Sequence, residues 1–323
     1  MRRKHYFVWM LTTALTAASV MPMTVYAQPA FASGGEVKVV EGDVNGELQG
    51  GVMSPGAMAI EGSDLKVNGN VSGGLVSDGS TVTVNGNVTG NGIDTVIAKK
   101  GTVTVNGTVT ATDLSEKTGV LASNGSNLTV GDTEVGGKES TGVIAESGSK
   151  ATAGNVKVSG EYMTGASAYG DSTVHVKGNV TADGNDMTGV SVHDRDKSSL
   201  IVDGDVTATG ENSVGIYGET GTIKIGGDVS GREAVITKGK ADVTVGGSVS
   251  GTLVGIVAGG NAAVSVKGDA GTKTGAGMFA QENATVTVDG NVTGGTFYGA
   301  PEDFEDVYPA IIAGTGATVI VKG

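Results

Sequence analysis

The sequence predicts an all-β fold, a right-handed parallel β-helix solenoid with three short strands per rung and about twelve rungs of about 23 residues. Three observations predict it. A phrase of the form V-x-V-x-G-x-V returns along the whole chain. The composition, with 57 glycines, 5 prolines and 4% aromatics, is too poor in large apolar groups for a layered core and too rich in valine and alanine for disorder. No segment carries a helical period.

The phrase is plainest as VTVNGNVTGNG from Val82, VTVNGTVTATD from Val103, VHVKGNVTADG from Val174 and VTVDGNVTGG from Val286. Clear copies place their glycine at Gly69, Gly86, Gly107, Gly178, Gly204, Gly227, Gly247, Gly268 and Gly290, looser ones at Gly42, Gly131 and Gly154, and the last residue is Gly323. Val82-Thr83-Val84 alternates apolar and polar residues, the pattern of a strand with one buried face. Asn85-Gly86-Asn87 reads as a tight bend in which glycine takes positive φ and asparagine tolerates it. A brief second strand centres on Val88. After a loop of variable length comes a third strand, as in GVLA from Gly119, GVIA from Gly142, GIVA from Gly255 and GMFA from Gly277.

Asn-Gly between valine runs is also a hairpin signal. In-phase repeats and a third strand that forms no second hairpin favour a coil, in which each phrase lies over its own copy in the next rung. Sandwiches and propellers do not explain so short a period. The strict hexapeptide spacing of left-handed coils is missing, hence the right hand. Twelve intervals at about 4.8 Å make a rod of about 58 Å.

Residues 1–27 read as a secretory signal peptide: basic Arg2, Arg3 and Lys4, an apolar run from Phe7 to Val20, and a small-residue exit at Val25-Tyr26-Ala27, with a second exit after Ala32. The run is broken by threonines and short for a bilayer span, which disfavours a retained anchor. Residues 33–323 then form one repeat domain, secreted and extracellular or on the cell surface, with no membrane insertion after cleavage. Losing the three basic residues takes the formal charge from −13 to −16, which argues against nucleic acid. With no cysteine, an exported chain must hold itself together by regular hydrogen bonding. Val319-Ile320-Val321-Lys322-Gly323 opens a new rung with an unpaired edge, so continuation or a cap beyond Gly323 is expected.

Catalytic chemistry is hard to find. The outward column of the first strand, with Lys66, Thr83, Thr104, Thr129, His175, Lys224 and Thr287 among its members, holds no carboxylate, whereas metal-assisted proton abstraction or paired-carboxylate hydrolysis needs several. His193 opens the run His193-Asp194-Arg195-Asp196-Lys197; without a second histidine or a nucleophile, a solvated charged turn outweighs a metal or acid/base site. Pro301-Glu302-Asp303-Phe304-Glu305-Asp306 lacks the spaced pattern of a calcium loop and reads as a solvated tip. No cofactor, metal or catalytic residue is assigned. A sugar platform is weakly supported, because Trp9 lies in the leader and only Tyr162, Phe297, Tyr298 and Tyr308 are loop aromatics.

The export signal followed by V-x-V-x-G-x-V-x-G and G-V-x-A phrases resembles the secreted β-helical repeat proteins of bacterial surfaces, an adhesin-like group that shares its right-handed coil with pectin lyases and autotransporter passengers. The resemblance covers nearly all of the chain after residue 35 and implies an outward-displayed rod whose ligand is set by surface decoration. No translocating barrel or LPxTG signal accompanies it. The expected role is a non-catalytic structural or adhesive rod; the alternative is a polysaccharide-binding or polysaccharide-degrading β-helix.

The contact surface is expected on the third strand. Leu75, Val96, Val120, Val143, Ala166, Val190, Ile216, Val235, Ile256, Met278 and Ile311 should point inward. The next column should then face out: Val76, Ile97, Leu121, Ile144, Ser167, Ser191, Tyr217, Ile236, Val257, Phe279 and Ile312. So long an apolar stripe on a soluble surface suggests a partner, a protein or glycan on a host, matrix or neighbouring cell, or another copy of the chain. The loops before this strand, from the short Gly231-Arg232-Glu233 to the long segment Gly294–Pro309 with Phe297 and Tyr298, should stack into a ridge beside the stripe.

Overall fold

The computed structural model describes residues 28–46, 48–49, 52–53, 55–193, 197–295 and 309–323. They form a parallel β-solenoid with three strands per rung. The first strands make a thirteen-stranded parallel sheet from Val37–Glu41 through Thr81–Val84 to Thr318–Val321. The second and third strands form the other two faces. They merge where the chain runs straight round the corner between them, in Val229–Thr237 and Val249–Ala258. Register follows the repeated phrase: Leu65, Val82, Val103 and Leu128 are successive partners. The one antiparallel pair among the described residues joins Leu48–Gln49 to Val52–Met53.

The core is a single file of small and branched side chains. One rung contributes Val82, Val84, Val88, Val96 and Ala98, all without solvent exposure. Stacking identical positions about 4.8 Å apart brings each valine against its copies above and below, which is how a chain with so few aromatics buries a continuous core.

The glycine of the phrase is needed for a different reason from the one the bend suggested. Gly86 is not in the left-handed region, and neither asparagine beside it is. A Cβ on Gly86 would lie 2.6 Å from Asn70 Oδ1 and closer still to the Gly69 carbonyl oxygen. The rungs approach this closely at the corner because the side chain after each glycine bonds to the backbone of the next rung. Asn70 Oδ1 accepts from the Asn87 N–H at 2.9 Å, Asn87 Oδ1 from the Thr108 N–H at 2.8 Å, and Asp205 Oδ1 from the Asp228 N–H at 2.8 Å. Asparagine, aspartate and serine at this position are thus acceptors in a ladder along the rod.

A second polar ladder is hidden inside the corner before the first strand. Ser63, Ser80, Ser126, Ser149, Ser172 and Ser198 are buried there; the Ser126 N–H donates to Ser149 Oγ and the Ser149 N–H to Ser172 Oγ, each at 3.1 Å. Toward the end of the rod the same position becomes alanine, at Ala241, Ala262 and Ala284.

The coil begins earlier than residue 33. Ala30–Ala32 is a third strand, paired with Ala57–Ala59, and Ala30 and Ala32 are core residues. At the inward position that Leu65 fills one rung later stands Lys38, whose Nζ donates to the Phe31 carbonyl oxygen at 2.9 Å. Val37 and Val39 consequently face outward, Val37 at 75% exposure. The inward lysine thus gives a carbonyl of the Ala30–Ala32 strand a hydrogen-bond partner.

At the other end Asp289 ties three rungs together. Its Oδ2 lies 2.9 Å from Lys267 Nζ and its Oδ1 2.8 Å from Lys322 Nζ. Lys322 and then Lys267 hold its carboxyl below the usual aspartate value. A lowered value in the folded state means stability that is present above the ordinary carboxylate range and lost as pH falls through the folded value. Protection of the Thr318–Val321 amides, measured against the intrinsic exchange rate at each pH, is therefore expected to fall as the pH drops below about 4. In Asp289→Asn protection should be low at neutral pH already, with no further loss on acidification. Ile311, inward by register, is 37% exposed in this last rung.

Candidate partner-binding surface

The apolar stripe is built by parallel register. Val76, Ile97, Leu121 and Ile144 are direct partners in successive third strands, as are Tyr217, Ile236, Val257, Phe279 and Ile312. Alternation turns them away from fully buried neighbours such as Val96, Val143, Ile216 and Ile256. Phe279 is 38% exposed and the others are half-buried. Met58 and Phe31 extend the column by two rungs at its beginning.

The middle of the stripe departs from expectation. Ser167 and Ser191 face outward by register yet are buried, with Oγ atoms 2.7 Å apart. Three rings stack along the axis at this level. Tyr169 and His193 lie 5.5 Å apart between centroids at 11°, and His193 and Tyr217 lie 5.2 Å apart at 35°. His193 is thus a half-buried ring between two tyrosines and not a residue of a solvated turn. Each such ring pair contributes about 1 kcal/mol beyond the area it buries.

Electrostatics tie the cluster down. The Tyr217 hydroxyl donates to Glu219 Oε1 at 2.9 Å, Glu219 Oε2 lies 3.6 Å from His193 Nδ1, and Lys238 Nζ sits 5.5 Å from the centre of the Tyr217 ring. Burial, then the bond to Glu219, pushes the Tyr217 phenol above its ordinary value, and Lys238 pulls weakly the other way. At neutral pH the phenol keeps its proton and donates it.

Tyr169 and His193 were legible in principle. Two positions beyond the stripe the rungs read Glu146, Tyr169, His193, Glu219 and Lys238, so aligning that column puts the rings in consecutive rungs. His175, by contrast, faces out as expected, with Nε2 3.0 Å from both carboxylate oxygens of Asp203.

The ridge is less irregular than expected. Gly231-Arg232-Glu233 is not a loop but lies within a strand, with a register shift between Gly231 and Glu233. In earlier rungs Glu116, Glu139, Tyr162, Asp186 and Asn212 all take φ near +54°, one left-handed residue repeated at the same corner.

No protein-family model, curated protein or solved structure matches the chain. Among the described residues no group of three or more His, Asp or Glu side chains is placed to hold a metal ion, and no helix is long and apolar enough to cross a membrane. Residues 1–27, Asp194–Asp196, Phe297, Tyr298, Tyr308 and the acidic segment 301–306 lie outside the described residues.

Proposed function

We propose that the chain is a non-catalytic, secreted or surface-displayed rod that meets a partner through the third-strand stripe, in the manner of the bacterial β-helical repeat proteins it resembles. The observation that carries this reading is the stripe itself. Leu121, Ile144, Tyr217, Ile236, Val257, Phe279 and Ile312 lie on one face at the surface, in register, while the outward positions of the first strand are mostly polar. The coil geometry accounts for the repeated positions, which leaves this face and the corner loops to carry recognition. Exit of the leader after Ala27 suits the reading better than exit after Ala32, which would remove the third strand Ala30–Ala32.

The test is a single protein carrying Ile144→Thr, Tyr217→Ser, Ile236→Thr and Phe279→Ser. Circular dichroism should keep its β signature, because none of the four is a core residue, while self-association in sedimentation velocity and adhesion to cells or matrix should fall by about tenfold or more. Undiminished association and adhesion by a folded variant would remove the stripe from consideration.

A further inference from the structure

We propose that the first half of the stripe, Val76 to Ile144, seats an amphipathic helix of a basic polypeptide, its apolar face on the stripe and its lysines or arginines toward the acidic corner between the second and third strands. The inference rests on the stripe being the contact surface and adds what meets it.

Spacing selects the conformation of the partner. Val76, Ile97, Leu121 and Ile144 are successive register partners, half-buried at the surface, so they stand about 4.8 Å apart along the rod. A helix laid along the axis returns its apolar face every turn, about 5.4 Å. An extended strand returns one face every second residue, about 6.8 Å. Over three intervals the helix drifts by about 2 Å and the strand by about 6 Å, more than a whole rung. A strand also finds no free edge to join, because these third strands are paired on both sides.

Charge selects its sign. Asp94, Asp113, Glu116, Glu139 and Glu161 lie along the corner beside these rungs, against Lys117 and Lys138. Lys138 is spent locally, with Nζ 3.6 Å from Glu161 Oε2 and 5.7 Å from the centre of the Tyr162 ring. Glu116 and Glu139 are exposed at the repeated left-handed position. On the far side of the stripe the column reads Asp78, Lys99, Ser123 and Glu146, nearer to balance, so the attraction is one-sided. A polyanion meets like charge at this corner, and a second copy of the chain brings a formal charge of −13 with it. At the Val76 end a cleft of ≈ 210 Å³ opens between Val76, Ile93 and Ile97, with Asp94 and Lys117 also lining it. It is smaller than a small-ligand site, about 300–1,000 Å³, and has room for one apolar side chain that anchors the end of the helix.

Fluorescence anisotropy on the full chain tests this with a labelled helical peptide of about 18 residues, leucines on one face and lysines along one flank of it. Three control peptides replace the lysines with glutamate, replace the leucines with serine, or put the same residues in alternating, strand-like order. The parent peptide is expected to bind at micromolar concentration and each control at least about tenfold more weakly. Glu116→Gln with Glu139→Gln should lose about threefold or more, and Leu121→Ser with Ile144→Ser about tenfold or more, with the fold checked by circular dichroism. Asp64→Asn with Asp242→Asn takes two charges from the first-strand face and should bind like the parent. No binding at millimolar concentration, a control peptide that binds equally, or a Glu116 and Glu139 pair that loses no more than the Asp64 and Asp242 pair would each overturn the proposal. Its failure is distinguishable from that of the stripe itself: adhesion lost by the fourfold stripe variant, with no binding of the peptide, would keep the stripe and remove the helix.

Discussion

Replacing Gly184 with alanine is expected to destabilise the rod by about 3 kcal/mol, while the same change at Gly148 costs about 1 kcal/mol. Gly137, Gly160 and Gly184 are direct partners in successive rungs, with φ of +156°, +145° and +142°. A Cβ on Gly184 would be driven onto the Gly160 carbonyl oxygen, with Gly160 N only 3.3 Å away. The obstacle is backbone, which moves only if the rung moves. At Gly148, φ is +75° and nothing lies within 4 Å of a Cβ, so backbone conformation is the whole penalty there. Urea unfolding of the two variants separates the contributions. Equal losses would mean that conformation alone demands glycine at Gly184.

Leu200→Ala should lose about 2–5 kcal/mol, and the loss should be felt locally. Leu200 has no exposure and stacks between Val174 and Ile223 in the first-strand column, so truncation leaves a void with a partner on each side along the axis. Rungs touch only their neighbours, so a weak rung divides the rod. Hydrogen exchange is expected to rise first in Thr173–Val176, Ser199–Val202 and Thr222–Ile225. Thermal unfolding should broaden into two steps as the halves come apart. The adjacent Ile201→Ala, half-buried on the outer face, should cost under about 1 kcal/mol and leave the transition sharp. A single sharp transition for Leu200→Ala would show cooperativity that extends well past the neighbouring rung.

The architecture was readable because a solenoid writes its geometry locally. Val82, Val84 and Val88 carry the period of a strand, and their copies about 23 residues on must stack if every valine is to be buried. The inward and outward columns of the third strand followed from alternation alone. The bend was assigned to the right residues for the wrong reason, since Gly86 is demanded by the rung above and not by its own φ. The earliest rung is not legible because Ala30-Phe31-Ala32 has the pattern of a cleavage site and Lys38 stands at an inward position where the later rungs carry leucine or valine.

By itself the sequence determined the fold class, the period and the strand faces, all properties of one rung and its repetition. Only the tertiary structure decided what neighbouring rungs do to one another at the exceptions. Tyr169 and His193 come from consecutive rungs and stack because they share a column, while Tyr217, in register with Ser191 in the next rung, reaches His193 only by a tilt of its ring that register does not dictate. A cleft lined by Glu211, Arg232 and Lys273 opens where the corners in Val229–Thr237 and Val249–Ala258 straighten beside one that does not. Such features depend on differences between repeats, and a difference acquires its meaning only once the copies are laid on top of each other.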